Sequence, residues 1–189
     1  MSPTLMTSND NPSFSRRRFL RNCASMTGLL MSSPLLVLAA DENRALAFRH
    51  THTGERETVT YWRDGEYQVD RLQILDRLLR DHRTGESTRM DRALLDMLYQ
   101  LQQAVGTQGE FEIISAYRSP KTNKMLRNKS GGVAKRSLHM QGRAIDIRLC
   151  GCDLKTLRDR AVAMKAGGVG YYPKSNFIHL DTGPFRSWS

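Results

Sequence analysis

Cysteine is scarce in this chain of 189 residues: there are three, and only Cys150 and Cys152 lie beyond position 47. One glycine separates that pair, too little chain for an easy unstrained bridge. A single pair does not make the disulfide framework of a small secreted domain. Two thiols alone cannot close a tetrahedral metal site, so "CGC" reads as structural or incidental. Aromatic residues make up only 7%, and none are interleaved with basic residues in the manner of a nucleic-acid platform. Internal repeats, low-complexity linkers and a second domain are all missing. The apolar run that ends at Ala40 is short and interrupted by Ser and Thr, which excludes a stable membrane span once it is cut.

What is present is a globular balance, 39% apolar and 25% charged, on a length that suits one domain with a sizeable core. The formal net charge is +10, which points to an anionic partner: nucleic acid, an acidic polymer or a membrane surface.

The N-terminal segment reads "SRRRFLRNCASMTGLLMSSPLLVLAADENRALAF". Arg16, Arg17 and Arg18 precede an apolar run, and a small-residue "ALA" at 45–47 follows. This order of charged region, apolar region and cleavage site is an export signal. The "SRRRFL" string looks like the twin-arginine signature. The alternative is a signal anchor that is never cut. Cys23 lacks the small apolar residues that precede a lipidated cysteine and reads as incidental. The expected division is a leader over 1–47, a domain over 48–189, and a periplasmic destination. Without the leader's five Arg and three acids, 24 basic and 16 acidic residues remain, a net of +8. An exported basic domain meets an anionic envelope polymer rather than nucleic acid.

Residues 48–63 read as a hairpin around "TGE", with "DGE" following. His50 and His52 alternate on one face of its first strand, either a solvated face or, less in keeping with the pattern, a metal site. "VDRLQILDRLLRDHR" and "MDRALLDMLYQLQQAV" carry leucines at helical spacing. His82 falls at the charged C-terminal end of the first helix, and Gly106 stops the second. "FEIISAYRS" contains a buried strand, Pro120 opens a helix, and Asp153 caps another. "GRAIDIRL" alternates, placing Ile145, Ile147 and Leu149 opposite Ala144, Asp146 and Arg148. "GGVGYYP" and "NFIHLDTG" read as two short strands joined by a turn at 173–175. The pattern is α+β: one domain, with a small antiparallel sheet and flanking helices.

Asp146 sits between two isoleucines, and a buried carboxylate without a partner is costly. His179 and Asp181 leave their strand on the side away from Ile178 and Leu180. His139 precedes the Asp146 strand by a loop in which Gly142 permits a sharp turn and close approach. Two His and one carboxylate, with a fourth position for water, make a catalytic zinc set. The other reading of the spacing is an Asp–His ion pair with His179 elsewhere.

"SLHMQGRAIDI" resembles the S-x-H-x-x-G-x-A-x-D motif of the zinc peptidases grouped with D-Ala-D-Ala carboxypeptidases and VanX, whose fold is shared by hedgehog signalling domains. "ISAYRSPKTN" resembles that group's upstream arginine motif, and "GGVGYYPKSNFIHLDTGPFRSW" its closing ligand segment. The likeness covers about residues 48 to 189 and is strongest to the branch that contains murein endopeptidase K. The resemblance implies Zn²⁺ held by His139, Asp146 and His179, with Arg118 facing the substrate and the developing oxyanion. It implies that Ser137 steadies the ligand loop, and that peptidoglycan cross-links are the substrate. Tyr171 and Tyr172 either line the cleft or pack in their strand. Many relatives carry a His two positions, or a Glu three positions, before the last zinc histidine as the base. Phe177 and Asn176 stand there and cannot serve. Asp181 is left as the candidate base, or as the group that orients His179 or Arg118. The rival functions are a D,D-carboxypeptidase or dipeptidase acting on stem peptides, and a non-catalytic wall-binding module.

Overall fold

A computed structural model describes residues 43–189. Residues 1–42, which hold "SRRRFL", Cys23 and most of the leader expected over 1–47, lie outside the described residues. The described chain runs β1 (Arg44–His50), β2 (Arg56–Arg63), β3 (Glu66–Tyr67), α1 (Val69–Leu78), α2 (Arg92–Val105), β4 (Phe111–Ser115) and α3 (Pro120–Lys129). After a short 3-10 helix (Leu138–Gln141) come β5 (Ala144–Leu149), α4 (Leu154–Met164), β6 (Gly168–Tyr172), β7 (Phe177–Asp181) and β8 (Arg186–Trp188). No helix among them is long and apolar enough to cross a membrane.

All the strands join one sheet in the order β3-β2-β1-β4-β5-β7-β6-β8. At eight strands it is larger than a small sheet, and it is mixed. β1 and β4 pair in parallel because α1 and α2 lie between them, supplying the long crossover that parallel neighbours need. β8 adds in parallel to β6 at the edge.

The hairpin falls where the turn signal predicts, but β1 begins at Arg44. The expected leader boundary at 47 therefore cuts through a strand. Leu46 is 1% exposed and lies opposite Val59 on β2, and Arg44 Nη1 is 3.0 Å from Asp96 Oδ1. α1 ends at Leu78, so His82 sits beyond the helix rather than on its last turn. The chain turns away there because Asp81, buried, takes up backbone donors from Arg83 and Ser119.

Helix ends follow local chemistry. Asp91 caps α2 and Gly106 closes it in the left-handed region at φ 77°. Ser119 and Asp153 cap α3 and α4 with their side chains. One face of the sheet is apolar through its register: Phe48 opposite Phe111 opposite Leu149, then Ile113 opposite Ile147 opposite Ile178. α1 packs on β2, α2 on β1 and α4, and α4 on β5, β6 and β7. Leu75, Leu79, Leu94, Leu98 and Leu101 are wholly buried there, each stabilising the fold by about 1.5–3 kcal/mol.

Candidate metal centre

The side chains of the sheet's other face carry the chemistry, and strand register sets their order. Ser115, Asp146, His179, Gly170 and Trp188 lie side by side across β4, β5, β7, β6 and β8. One row along, Ala144, Asp181, Gly168 and Arg186 do the same. The two glycines leave room there for neighbouring side chains. A Cβ on Gly168 would lie 2.5 Å from both an Asp181 carboxylate oxygen and Arg186 Nη1, and one on Gly170 would lie 2.7 Å from the Trp188 ring.

His139 enters from the 3-10 helix. Gly142 ends that helix at φ 66°, and a Cβ there would stand 2.6 Å from the Arg89 carbonyl oxygen. The expected sharp turn is thus enforced both by backbone angle and by close approach.

The three candidate ligands that the resemblance implies meet at one point. His139 Nε2 lies 3.2 Å from His179 Nδ1 and 3.3 Å from Asp146 Oδ1, and His179 Nδ1 lies 2.8 Å from that same oxygen. Zinc holds N and O ligands at about 2.0–2.1 Å, which makes the edge of its tetrahedron about 3.3 Å. The donor set fits the ion in kind, number and spacing, and it is the one such group of His, Cys, Asp and Glu among the described residues.

Each imidazole is fixed from behind. His139 Nδ1–H donates to the Ala116 carbonyl at 2.6 Å, leaving Nε2 with its lone pair towards the triangle. His179 Nε2–H donates to Asp181 Oδ2 at 2.9 Å, leaving Nδ1 free to ligate. Burial opposes ionisation of Asp146, yet His139 and His179 hold its carboxyl well below the usual carboxylate range. Burial likewise disfavours the His179 cation, but bonds to Asp146 and Asp181 lift its pKa to about 9. A divalent cation entering here would displace that proton.

Asp181 shares the face of His179, as alternation requires, but it stands on the far side of the imidazole from the ligand triangle. It is fully buried. Its Oδ1 accepts from Gly168 N, Gly183 N and Arg186 Nη1, and its Oδ2 from His179 Nε2 and Arg186 Nη2.

Arg118 closes the ligand end of a cleft of about 510 Å³. Its Nη2 is 3.7 Å from Asp146 Oδ2, too long for a hydrogen bond, and its buried Nε has no partner. Its backbone N–H donates to the His139 carbonyl at 3.1 Å. Together with the Ala116–His139 bond this ties the arginine turn to the ligand helix twice. Asp81 holds the same turn from below through Ser119 N at 2.8 Å. Burial would raise the Asp81 pKa, but bonds from Thr122 and Ser119 keep it at about 2.

Ser137 is buried, lines the cleft and opens the ligand helix, its carbonyl accepting from Met140 N. Tyr172 lines the cleft, stacked on Phe177 at 4.7 Å, and its hydroxyl accepts from Trp188 Nε1 at 2.8 Å. Tyr171 is on the opposite face, packed against the core beneath Arg158; adjacent strand residues cannot both enter one cleft. Sequence reasoning missed Trp188, Arg186 and Asp81. The alternating glycines of "GGVG" were the available signal for the first two.

Cys150 and Cys152 are free thiols away from the cleft. His50 and His52 do not share a solvated strand face. His50 ends β1 buried and His52 lies in the turn, and both gather with His82 at ring separations of 4.0–6.0 Å.

Three candidate protein ligands with one side open to a cleft have the pattern of a catalytic metal site rather than a closed structural one. The family model described as peptidoglycan L,D-endopeptidase MepK, an M15 peptidase family, matches residues 38–188, and the chain belongs to that family. It is 41% identical over 160 residues to the peptidoglycan L,D-endopeptidase MepK of Escherichia coli K12, covering 85% of this chain and 88% of that protein. It is 42% identical over 161 residues to the probable peptidoglycan L,D-endopeptidase MepK of Haemophilus influenzae, covering 85% and 87%. No solved structure gives a significant match.

Proposed function

We propose that this chain is a zinc-dependent peptidoglycan endopeptidase that hydrolyses an L,D bond in the peptide cross-links of the wall. The observation that carries this reading is the ligand triangle, with edges of 2.8–3.3 Å, facing Arg118, whose Nη2 stands 3.7 Å from Asp146 Oδ2 and whose buried Nε has no hydrogen-bond partner. When bound, zinc supplies a water whose pKa falls to about 7 and a Lewis acid for the scissile carbonyl.

His139, Asp146 and His179 hold the ion. Arg118 waits for the oxyanion, its donors kept in place by the bonded turn behind it, so that little reorganisation is needed as charge develops. Asp181 is a positioning residue. Every acceptor direction it has is occupied, and it reaches the reaction only through His179, whereas a general base must reach the water itself. Asp146 and Asp181 are the only carboxylates among the described residues that line the cleft. Neither is therefore placed to take a proton from the attacking water, Asp146 being held as a ligand and Asp181 standing behind His179. Tyr172, Phe177 and Trp188 form the wall against which the peptide lies, and Ser137 steadies the ligand helix.

The chain acts in the periplasm, exported by the twin-arginine route with the leader removed ahead of Arg44. The burial of Leu46 and the matched family span from residue 38 both support that boundary.

Digestion of purified muropeptides by the mature protein with and without zinc, read by mass spectrometry, tests the function. Conversion of cross-linked dimers to monomers is expected. Loss of only a terminal residue from uncross-linked stems would make the protein a carboxypeptidase instead, and wall binding without hydrolysis at any zinc loading would make it a binding module. His139→Ala, Asp146→Ala and His179→Ala should each lose metal by elemental analysis.

A further inference from the structure

From Ile113 to Ile145 the chain has eight Lys or Arg and no Asp or Glu. This is the stretch that supplies Arg118, α3 and the loop over 130–137, and the loop forms one wall of the cleft. Three arginines line that cleft: Arg118, Arg136 and Arg186. Arg186 is bound to Asp181 through both terminal nitrogens. Arg118 faces the ligand triangle. Arg136 is exposed and has neither an acidic partner nor a hydrogen bond among the described residues.

No acid within the cleft is available to it, because Asp146 is held by the two ligand histidines and Asp181 by His179 and Arg186. With a divalent cation on the triangle, the lining carries a net surplus of positive charge. The facing wall is different in kind: Tyr172 and Phe177 stack, and Trp188 hydrogen-bonds Tyr172. A ligand that satisfies both walls has an alkyl body against the rings and an anionic group on the loop side.

We infer that Arg136 is a specificity residue that binds a free carboxylate on the peptide beside the scissile bond. The ligand class is a peptide whose linking residue keeps an unamidated carboxylate next to the bond that is cut. A diamino diacid does so, since one of its two carboxyls can form the cross-link while the other stays ionised. A guanidinium suits this task because its planar fork matches a carboxylate, and a charge at the open rim also steers an anion inward. The inference rests on the endopeptidase reading above.

The test compares a purified cross-linked muropeptide dimer with the same dimer in which the free carboxylates are amidated. The parent protein should prefer the free acid by about 10- to 100-fold in kcat/KM, the worth of a charge-assisted hydrogen bond. Arg136→Gln should raise KM for the free acid, leave zinc content at the parent level, and bring the acid-to-amide ratio close to one. Arg136→Lys should retain part of the preference. Affinity for the uncleavable product peptide, acid against amide, should move in parallel when measured by calorimetry. Equal handling of acid and amide by the parent, or an unchanged preference in Arg136→Gln, overturns the inference while leaving the endopeptidase standing. Failure of the parent to cleave either dimer removes both.

Discussion

Asp181→Asn separates holding a ligand from moving a proton. In the parent, five donors converge on two oxygens. An asparagine offers only one oxygen. If it takes the place of Oδ1, the NH₂ faces His179 Nε2 and Arg186 Nη2. If it takes the place of Oδ2, the NH₂ faces Gly168 N, Gly183 N and Arg186 Nη1. Each buried donor left without an acceptor costs about 1–3 kcal/mol. Arg186 reaches solvent and recovers part of its share. The expected loss of folding stability is therefore about 2–5 kcal/mol, a large part of the margin of a typical domain. Loosening His179 should weaken zinc binding by about 10- to 100-fold, or about 1.4–2.7 kcal/mol. Two measurements check this: chelator-competition titration of zinc, and denaturant unfolding of the loaded and metal-free protein. Turnover should recover when zinc is saturating. Parent-like zinc affinity combined with a turnover loss of about 10²- to 10⁴-fold at saturating zinc would refute the argument, since that is the signature of a lost general base.

Gly170→Ala should push the indole of Trp188 off its seat, at about 1–3 kcal/mol of stability; in a Trp62→Phe background the remaining tryptophan emission should shift red, and an unshifted spectrum would contradict the packing. A chain that starts at Phe48 loses Leu46 from the core and should be less stable than one that starts at Asn43 by about 2 kcal/mol or more; N-terminal sequencing of the envelope form should find a start upstream of Arg44. Burial, followed by the charges of Arg83, His52 and His50, lowers the His82 pKa to about 4, with Asp81 a smaller opposing influence. The folded value lies below the unfolded one, so this contribution is intact above about pH 6.5 and is lost as pH falls towards 4, on the order of 1 kcal/mol after allowance for solvent contact. His82→Gln should flatten the unfolding midpoint over that window, and an unchanged slope would count against the cluster.

Features written within a few residues were legible. Gly106 and Asp153 end and begin helices where the pattern places them, and the leucine stripes of α1 and α2 face the core. The alternation of β5 and β7 was enough to direct Asp146 and His179 away from the isoleucines, and a turn glycine brought His139 to them. What escaped depends on partners distant in sequence. β8 has three residues and no periodicity of its own, and it exists as a strand because Gly168 and Gly170 clear the surface beside it. The parallel pairing of β1 with β4 is a matter of crossover rather than local preference. Alternation correctly put Asp181 on the face of His179, but which side of the ring it occupies depends on the β6 and β8 neighbours that surround it. Small residues before Phe48 suit a cleavage site and a strand alike, and the described chain has them in β1, with Leu46 opposite Val59.

The two walls of the cleft differ in how freely they can change. An atom added at Gly168 or Gly170 has to displace a neighbouring side chain, whereas a side chain built on Gly131 or Gly132 would meet nothing within 4 Å. Substitutions over 130–136 are thus nearly uncoupled from the ligand triangle, which hangs on β5, β7 and the short helix that follows the loop. Substrate choice could drift along one wall without disturbing the hydrolytic floor. A library confined to those seven positions is the natural place to seek variants of this scaffold that open differently decorated cross-links.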